Sequence, residues 1–189
     1  MSESGAPLVL FAVDMTEKIL RSEYLYRGAI LKLRLDQIRL ANQNVVAREI
    51  VEHRGAVAIV ALDDQQRVLL VRQYRPGAGR EMLEIPAGTL EEGEDPTRCA
   101  IRELKEETGC SASQWEPMGY FFSSPGFCTE KMYLFLARQI TDGIATPEED
   151  ESIAVEWRPL GEAVDAIERG EIVDAKTIVG LMRVWKLVR

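Results

Sequence analysis

Three glutamates crowd one short segment of this chain: Glu103, Glu106 and Glu107. Side chains three or four residues apart stack on one face of a helix, and like charges at that spacing repel. A cation between them removes the conflict. Mg²⁺ or Mn²⁺ fits best, because both are hard ions that prefer carboxylate oxygen and water. Arg102 stands beside the cluster, where it can be an ordinary surface partner of Glu106 four residues on. Gly88 and Glu94 precede the cluster at fixed distances. A run of glutamates alone reads as a solvated helix face.

The cluster needs a helix to hold it, and the flanking residues supply one. Asp95 can cap free backbone N–H groups, and Pro96 suits the first helical position. Gly109 stands where a helix stops, because glycine accepts the left-handed conformation there. Ala100, Ile101 and Leu104 form the expected inward stripe.

The whole pattern is Gly88, five residues, Glu94, seven residues, then Arg102-Glu103-Leu104-x-Glu106-Glu107-x-Gly109. It resembles the Nudix box, the signature of hydrolases that cut nucleoside diphosphates linked to another group. Cys110 takes the closing position, where the box normally has an aliphatic residue. The resemblance implies an α/β class, with an α/β/α sandwich around a mixed β-sheet. From roughly Tyr24 to Leu181 the chain looks like an ADP-ribose pyrophosphatase. Three stretches carry that: Glu52-His53-Arg54-Gly55-Ala56-Val57 with Val71-Arg72-Gln73-Tyr74-Arg75, then Ser124-Pro125-Gly126-Phe127, then Asp174-Ala175-Lys176-Thr177-Ile178.

Residue roles follow from the resemblance by matching position. Glu103 and Glu107 would be principal metal ligands, with Glu106 assisting and the Ala87 carbonyl adding an oxygen. Arg102 would orient a metal-binding glutamate. In the loop 147–152, Glu149 matches the general base and Glu151 a further ligand; the plain alternative there is a solvated acidic loop. Arg54 and Arg75 match phosphate-binding positions, since arginine donates paired hydrogen bonds to phosphate. Each could instead make an ordinary salt bridge. Ser124, Pro125 and Gly126 would approach the terminal ribose, or form a simple turn. Tyr26 and Arg27, with Tyr24, are candidates for stacking on adenine across a homodimer built through the N-terminal sheet.

The implied reaction is metal-dependent hydrolysis of ADP-ribose to AMP and ribose 5-phosphate, assisted by two or three divalent ions. The box handles only the diphosphate. GDP-mannose, NADH or FAD therefore remain alternative substrates, and a non-catalytic ADP-ribose sensor is a further alternative. A sensor is expected to lose box glutamates, and here all of them stand.

Composition bounds these readings. The chain has 189 residues, enough for one domain with an extension. Its net charge of −8 (23 basic against 31 acidic side chains) argues against general nucleic-acid binding, which needs basic contacts to phosphate. It also means that a diphosphate substrate requires metal and local arginines. His53 is the only histidine, so a histidine-based triad or zinc site is not expected. Cys99, Cys110 and Cys128 are odd in number and lack metal-type spacing, so packing roles are expected. No apolar run approaches the roughly 20 residues that span a bilayer, and the first residues lack the pattern of a secretory signal. The expected location is the cytoplasm.

Along the chain, residues 1–15 read as a leader and 16–53 as an antiparallel β subdomain that mediates dimerisation. Residues 54–189 read as the Nudix domain. Alternation from Leu31 to Asp36 marks a half-buried strand, Ala41–Asn44 a turn, and Val45–Val51 its return. In the main domain, Ala56–Leu62 and Arg67–Tyr74 are expected strands joined by a hairpin turn at Asp63–Gln66. Met82–Ile85 is a short strand. Further strands are expected at 115–122, 130–138 and 153–158, and helices near 160–169 and 174–187.

Overall fold

The computed structural model describes residues 17–145 and 153–189. The leader 1–15 and the acids Glu149 and Glu151 lie outside the described residues. The chain divides into two compact units at Val51/Glu52.

The first unit is a three-stranded antiparallel arrangement in the order β1–β2–β3, comprising β1 (Lys18–Arg27), β2 (Leu31–Arg39) and β3 (Val45–His53). β1 and β2 pair from Lys18↔Arg39 to Arg27↔Lys32, with two bulges. The β2–β3 turn closes through Leu40 N–H on the Asn44 carbonyl, 2.9 Å, at the expected polar tetrapeptide. β1 is exposed along its whole length, although it carries Ile19, Leu20, Leu25 and Tyr26.

The second unit contains two sheets, one ordered β10–β5–β6 and the other β7–β4–β9–β8. The strands are β4 (Ala56–Ala61), β5 (Arg67–Arg75), β6 (Arg80–Glu84), β7 (Ala87–Thr89), β8 (Ser111–Phe122), β9 (Lys131–Thr141) and β10 (Ala154–Pro159). The helices are α1 (Pro96–Thr108), α2 (Leu160–Glu168) and α3 (Ala175–Leu187). β4 and β9 pair in parallel, whereas the other pairs in these sheets are antiparallel, so the β-structure is mixed.

β4 is buried at every position, and its alternation divides the core. Successive strand side chains point to opposite faces. Val57, Ile59 and Ala61 join Cys99, Ala100 and Leu104 of α1 on one face. Ala58 and Val60 join Ala163 of α2 and Leu181 and Val184 of α3 on the other. Helices on both faces of β-structure make the expected α/β/α sandwich. Among the described residues no helix is long and apolar enough to cross a membrane.

Three local expectations change. Asp63–Gln66 is a turn, with Asp63 Oδ1 accepting from the N–H groups of Gln65 (2.9 Å) and Arg67 (2.7 Å). It does not make a paired hairpin. β7 and β9 take both edges of β4, so β5 meets it only at the Leu62↔Val68 bridge and then pairs with β10 and β6. Ile101 does not face inward but is 47% exposed. The buried face of α1 runs instead through Cys99, Ala100, Leu104, Glu107 and Thr108. β7 is an additional strand, three residues long, immediately before the acidic helix.

Candidate active site

α1 begins and ends at the expected residues. Asp95 Oδ1 accepts from the N–H groups of Thr97 (3.0 Å) and Arg98 (3.2 Å). Gly109 adopts the left-handed conformation at φ 74° and donates to the Lys105 carbonyl. A side chain at Gly109 would also strike the backbone of Ile144 and Ala145. The chain leaving β9 therefore passes against the end of α1 just ahead of residues 146–152.

β7 lies beside the acidic face. Gly88 pairs with Val57 of β4 and has the Glu103 carboxylate against it. Any Cβ at Gly88 would overlap that carboxylate, so only glycine admits Glu103 in this position. One residue earlier, Ala87 N–H donates to Glu107 Oε2 at 3.1 Å. Glu107 is only 3% exposed. A buried carboxylate needs compensating hydrogen bonds, and the β7 backbone provides one. Two of the predicted ligands and the predicted carbonyl-bearing residue thus share one corner.

Arg102 is the hub of the acidic cluster. Its Nε and Nη2 bind Glu94 in a two-pronged pair, each at 3.0 Å. Its Nη1 donates to Glu103 Oε1 (2.8 Å) and Glu106 Oε2 (2.9 Å). The repulsion predicted among the glutamates is therefore offset by this guanidinium. Bonding to Arg102 is the main reason that the Glu94 carboxyl is pushed down to about 2. The Arg102 guanidinium is in turn raised, first by Glu94. Among the described residues, no three His, Cys, Asp or Glu side chains gather as a metal cluster. Burial pushes the Cys99 thiol up to about 12, with Glu103 adding to the effect, and burial likewise raises Cys110. Both are buried neutral thiols, as their expected packing roles require.

A cleft of about 300 Å³ opens beside Ala87, Gly88 and Thr89. Its volume is at the lower end of the range typical for small-molecule sites. Arg75 and Lys176 form part of its wall, and Ser123 and Glu130 another part. Arg75 is not a solitary cation. It holds Glu84 through Nε (3.0 Å) and Nη2 (2.7 Å), and Lys176 binds the same carboxylate. Burial alone would raise the Glu84 carboxyl, but Arg75 and Lys176 outweigh it and leave it below the usual range.

The remaining candidates fall at the β3–β4 junction, in the loop after β8 and in the first unit. Arg54 is exposed at the β3–β4 junction. Ser124, Pro125 and Gly126 form a turn in which the Ser124 carbonyl accepts from Phe127 (3.2 Å) and Cys128 (2.9 Å) N–H groups. Ser123, not Ser124, lines the cleft, and Gly126 has open space where a Cβ would stand. In the first unit, Tyr26 is 57% exposed and Arg27 stacks over the Tyr24 ring at 3.6 Å. Sequence reasoning missed Glu84 and Glu130 as site residues and cited Lys176 only within a motif. A lone acid among Met82, Leu83 and Ile85 was the available signal for Glu84, because a buried charge demands a partner.

The NUDIX domain family matches residues 52–179, and the nucleoside diphosphate sugar hydrolase N-terminal domain matches residues 17–51. The chain is 42% identical over 167 residues to an ADP-ribose pyrophosphatase of Mycobacterium tuberculosis, covering 86% of this chain and 80% of that protein. It is 38% identical over 167 residues to a methanol dehydrogenase activator of Bacillus methanolicus, covering 87% and 90% respectively. The crystal structure of an ADP compounds hydrolase superposes with a TM-score of 0.80, covering 91% of this chain and 94% of that one. At 24% identity, that last likeness speaks to the fold alone.

Proposed function

This chain belongs to the Nudix hydrolase family, and from that premise we propose that it hydrolyses the diphosphate of ADP-ribose to AMP and ribose 5-phosphate. One observation carries the chemistry: Glu103 and Glu107 are seated on the Gly88 and Ala87 backbone beside a cleft. The substrate rests on likeness to the mycobacterial ADP-ribose pyrophosphatase.

Enzymes of this family work with a divalent metal. The chemistry of the residues present suits one: Glu103 and Glu107 are hard oxygen donors beside Gly88 and Ala87, although here Arg102 holds Glu103 and Glu106. Glu103, Glu106, Glu107 and the Ala87 carbonyl would hold it, completed by Glu151. We favour Mg²⁺, with Mn²⁺ as a substitute, and two or three ions. When bound, the metal neutralises diphosphate charge and acidifies water.

The protein's own groups do the rest. Glu149 accepts the proton of the attacking water. The water oxygen bonds to one phosphorus, and the bond from that phosphorus to the bridging oxygen breaks. The departing phosphate keeps the electron pair. Arg75 binds a phosphate oxygen from the cleft wall, with Arg54 as a second donor. Arg102 keeps Glu103 and Glu106 aligned between turnovers. The turn Ser124-Pro125-Gly126, which follows the cleft residue Ser123 in the chain, would contact the terminal ribose.

Residues 16–53 are proposed to form a dimerisation subdomain distinct from the catalytic 54–189. The exposed apolar side chains of β1 support a homodimer through this sheet, with Tyr26 and Arg27 serving adenine. Three unpaired thiols suit a reducing compartment, and we place the protein in the cytoplasm.

The test is a substrate panel. ADP-ribose, GDP-mannose, NADH and FAD are each incubated with the purified chain, in Mg²⁺ and in EDTA, and the products are separated by ion-pair chromatography. Metal-dependent AMP release chiefly from ADP-ribose is expected. Preferential cleavage of GDP-mannose would overturn the substrate, and binding of ADP-ribose without cleavage of any compound would overturn the enzyme.

A further inference from the structure

The start of α3 carries a charged arrangement that the reaction described above uses only through Arg75. Glu84 ends β6 with its side chain only 1% exposed. Two cations from distant parts of the chain meet on it. Arg75, at the end of β5, binds both its oxygens through Nε and Nη2. Lys176, in the first turn of α3, binds Oε2 through Nζ and is itself 11% exposed. Lys176 Nζ also lies 3.1 Å from Asp174 Oδ2.

The surrounding bonds make this arrangement rigid. Asp174 caps α3, its Oδ2 accepting from Thr177 N–H (2.9 Å) and Thr177 Oγ1 (2.6 Å). Thr177 Oγ1 accepts in turn from Ile85 N–H at 3.0 Å, in the residue after Glu84. The end of β6 is thereby tied to the beginning of α3. Arg75 and Lys176 both line the cleft, as do Ala87 and Gly88. Arg75 meets Glu84 through Nε and Nη2, so its Nη1 stands outside those bonds.

A buried carboxylate shared by two cations is costly unless both stay in place. Its position below two cations on a cleft wall has a functional consequence. The two cations are held at a fixed separation, and their ordering is complete before any ligand arrives. Preorganisation of that kind raises affinity because less freedom is lost on binding. Glu130 and Asp174 also line the cleft, so an anionic ligand there needs local positive charge.

We infer that Lys176 is a second phosphate-binding cation of the cleft, and that buried Glu84 is the positioning residue that sets Lys176 and Arg75 as a pair. The ligand is the diphosphate group of the substrate, so the substrate identity rests on the function proposed above, while the anion site itself does not.

The test uses the full chain and two readouts. The first is calorimetric titration of inorganic diphosphate into metal-free protein in EDTA. The second is steady-state hydrolysis of ADP-ribose in Mg²⁺ at several salt concentrations. Lys176→Met is expected to weaken diphosphate binding and raise KM by about tenfold, the scale of a lost charge-assisted hydrogen bond. The change in kcat should be smaller, and the KM of the variant should depend less on salt than that of the wild type. Lys176→Arg should recover most of the affinity. Glu84→Gln should weaken diphosphate binding as well, although neither cation is removed. Should Lys176→Met melt far below wild type, Lys176→Gln and Lys176→Arg carry the comparison, and glutamine must bind diphosphate more weakly than arginine. Wild-type diphosphate affinity in Lys176→Met, or in a folded Lys176→Gln, would overturn the inference. Loss of that affinity in a chain whose wild type leaves ADP-ribose uncut would uphold the anion site and overturn only the substrate.

Discussion

Gly88→Ala separates the chemistry of the corner from its stability. Gly88 does not need a left-handed backbone, so alanine brings no conformational strain of its own. Its Cβ, however, would occupy the space of the Glu103 carboxylate. To restore ordinary contact, that carboxylate must retreat by more than about 1.5 Å. Glu103 can do so, because the obstructed atoms are the end of a flexible side chain and Arg102 offers it a partner at 2.8 Å. The expected stability cost is therefore about 1 kcal/mol or less, a shift of roughly 2–4 °C in melting temperature for a chain of this size. The functional cost is larger. A misplacement of about 1 Å at a reacting centre can lower turnover about a hundredfold, so metal-dependent AMP release should fall by roughly that factor or more. Thermal melting and product chromatography on the same preparation check both halves. Turnover within threefold of wild type would show that the seat of Glu103 on Gly88 has no part in catalysis. A melting temperature lowered by more than about 10 °C would show that the β7 contact is chiefly structural.

Other perturbations follow from the same corner. Glu107→Gln keeps an acceptor for Ala87 N–H but loses the charge, so turnover should drop at least a hundredfold with little change in melting; normal turnover would remove Glu107 from the metal site. Arg102→Lys cannot reproduce the two-pronged bond to Glu94 together with those to Glu103 and Glu106. Because Arg102 is partly exposed, solvent screening limits the expected loss to about 1–2 kcal/mol, read as a fall in the urea midpoint. The Glu94 carboxyl, held at about 2 against an ordinary 4.5, contributes stability that is full above pH 4.5 and is lost as pH falls toward 2. Urea midpoints between pH 5.5 and 3 should therefore decline less steeply in Glu94→Gln than in wild type, and parallel declines would contradict the assigned bond.

Local signals made the acidic helix legible. Asp95, Pro96 and Gly109 act through neighbouring backbone, and each does at α1 what its chemistry requires. The strand β4 was equally readable as a continuous apolar run, because both of its faces meet a helix layer. What the sequence concealed was non-local. The Asp63–Gln66 turn has the same chemistry whether its strands pair together or enter different sheets. β7 spans three residues, too few for any period, and is a strand only because β4 pairs with it. Glu84 and Lys176 stand 92 residues apart, so nothing near either one announces their contact. Ile101 was misread because a stripe through Ala100 and Leu104 does not fix its own width. The buried arc extends the other way, toward Cys99 and Glu107.

The most direct test of the central claim is the rate of AMP release from ADP-ribose under multiple turnover. It should be measured for the wild type in Mg²⁺, for the wild type in EDTA, and for Glu103→Gln in Mg²⁺. Many turnovers per site in the first case, and loss of at least a hundredfold in the other two, is the predicted result. Wild-type release that persists in EDTA, or in Glu103→Gln, would contradict a metal-dependent site built on Glu103 and Gly88.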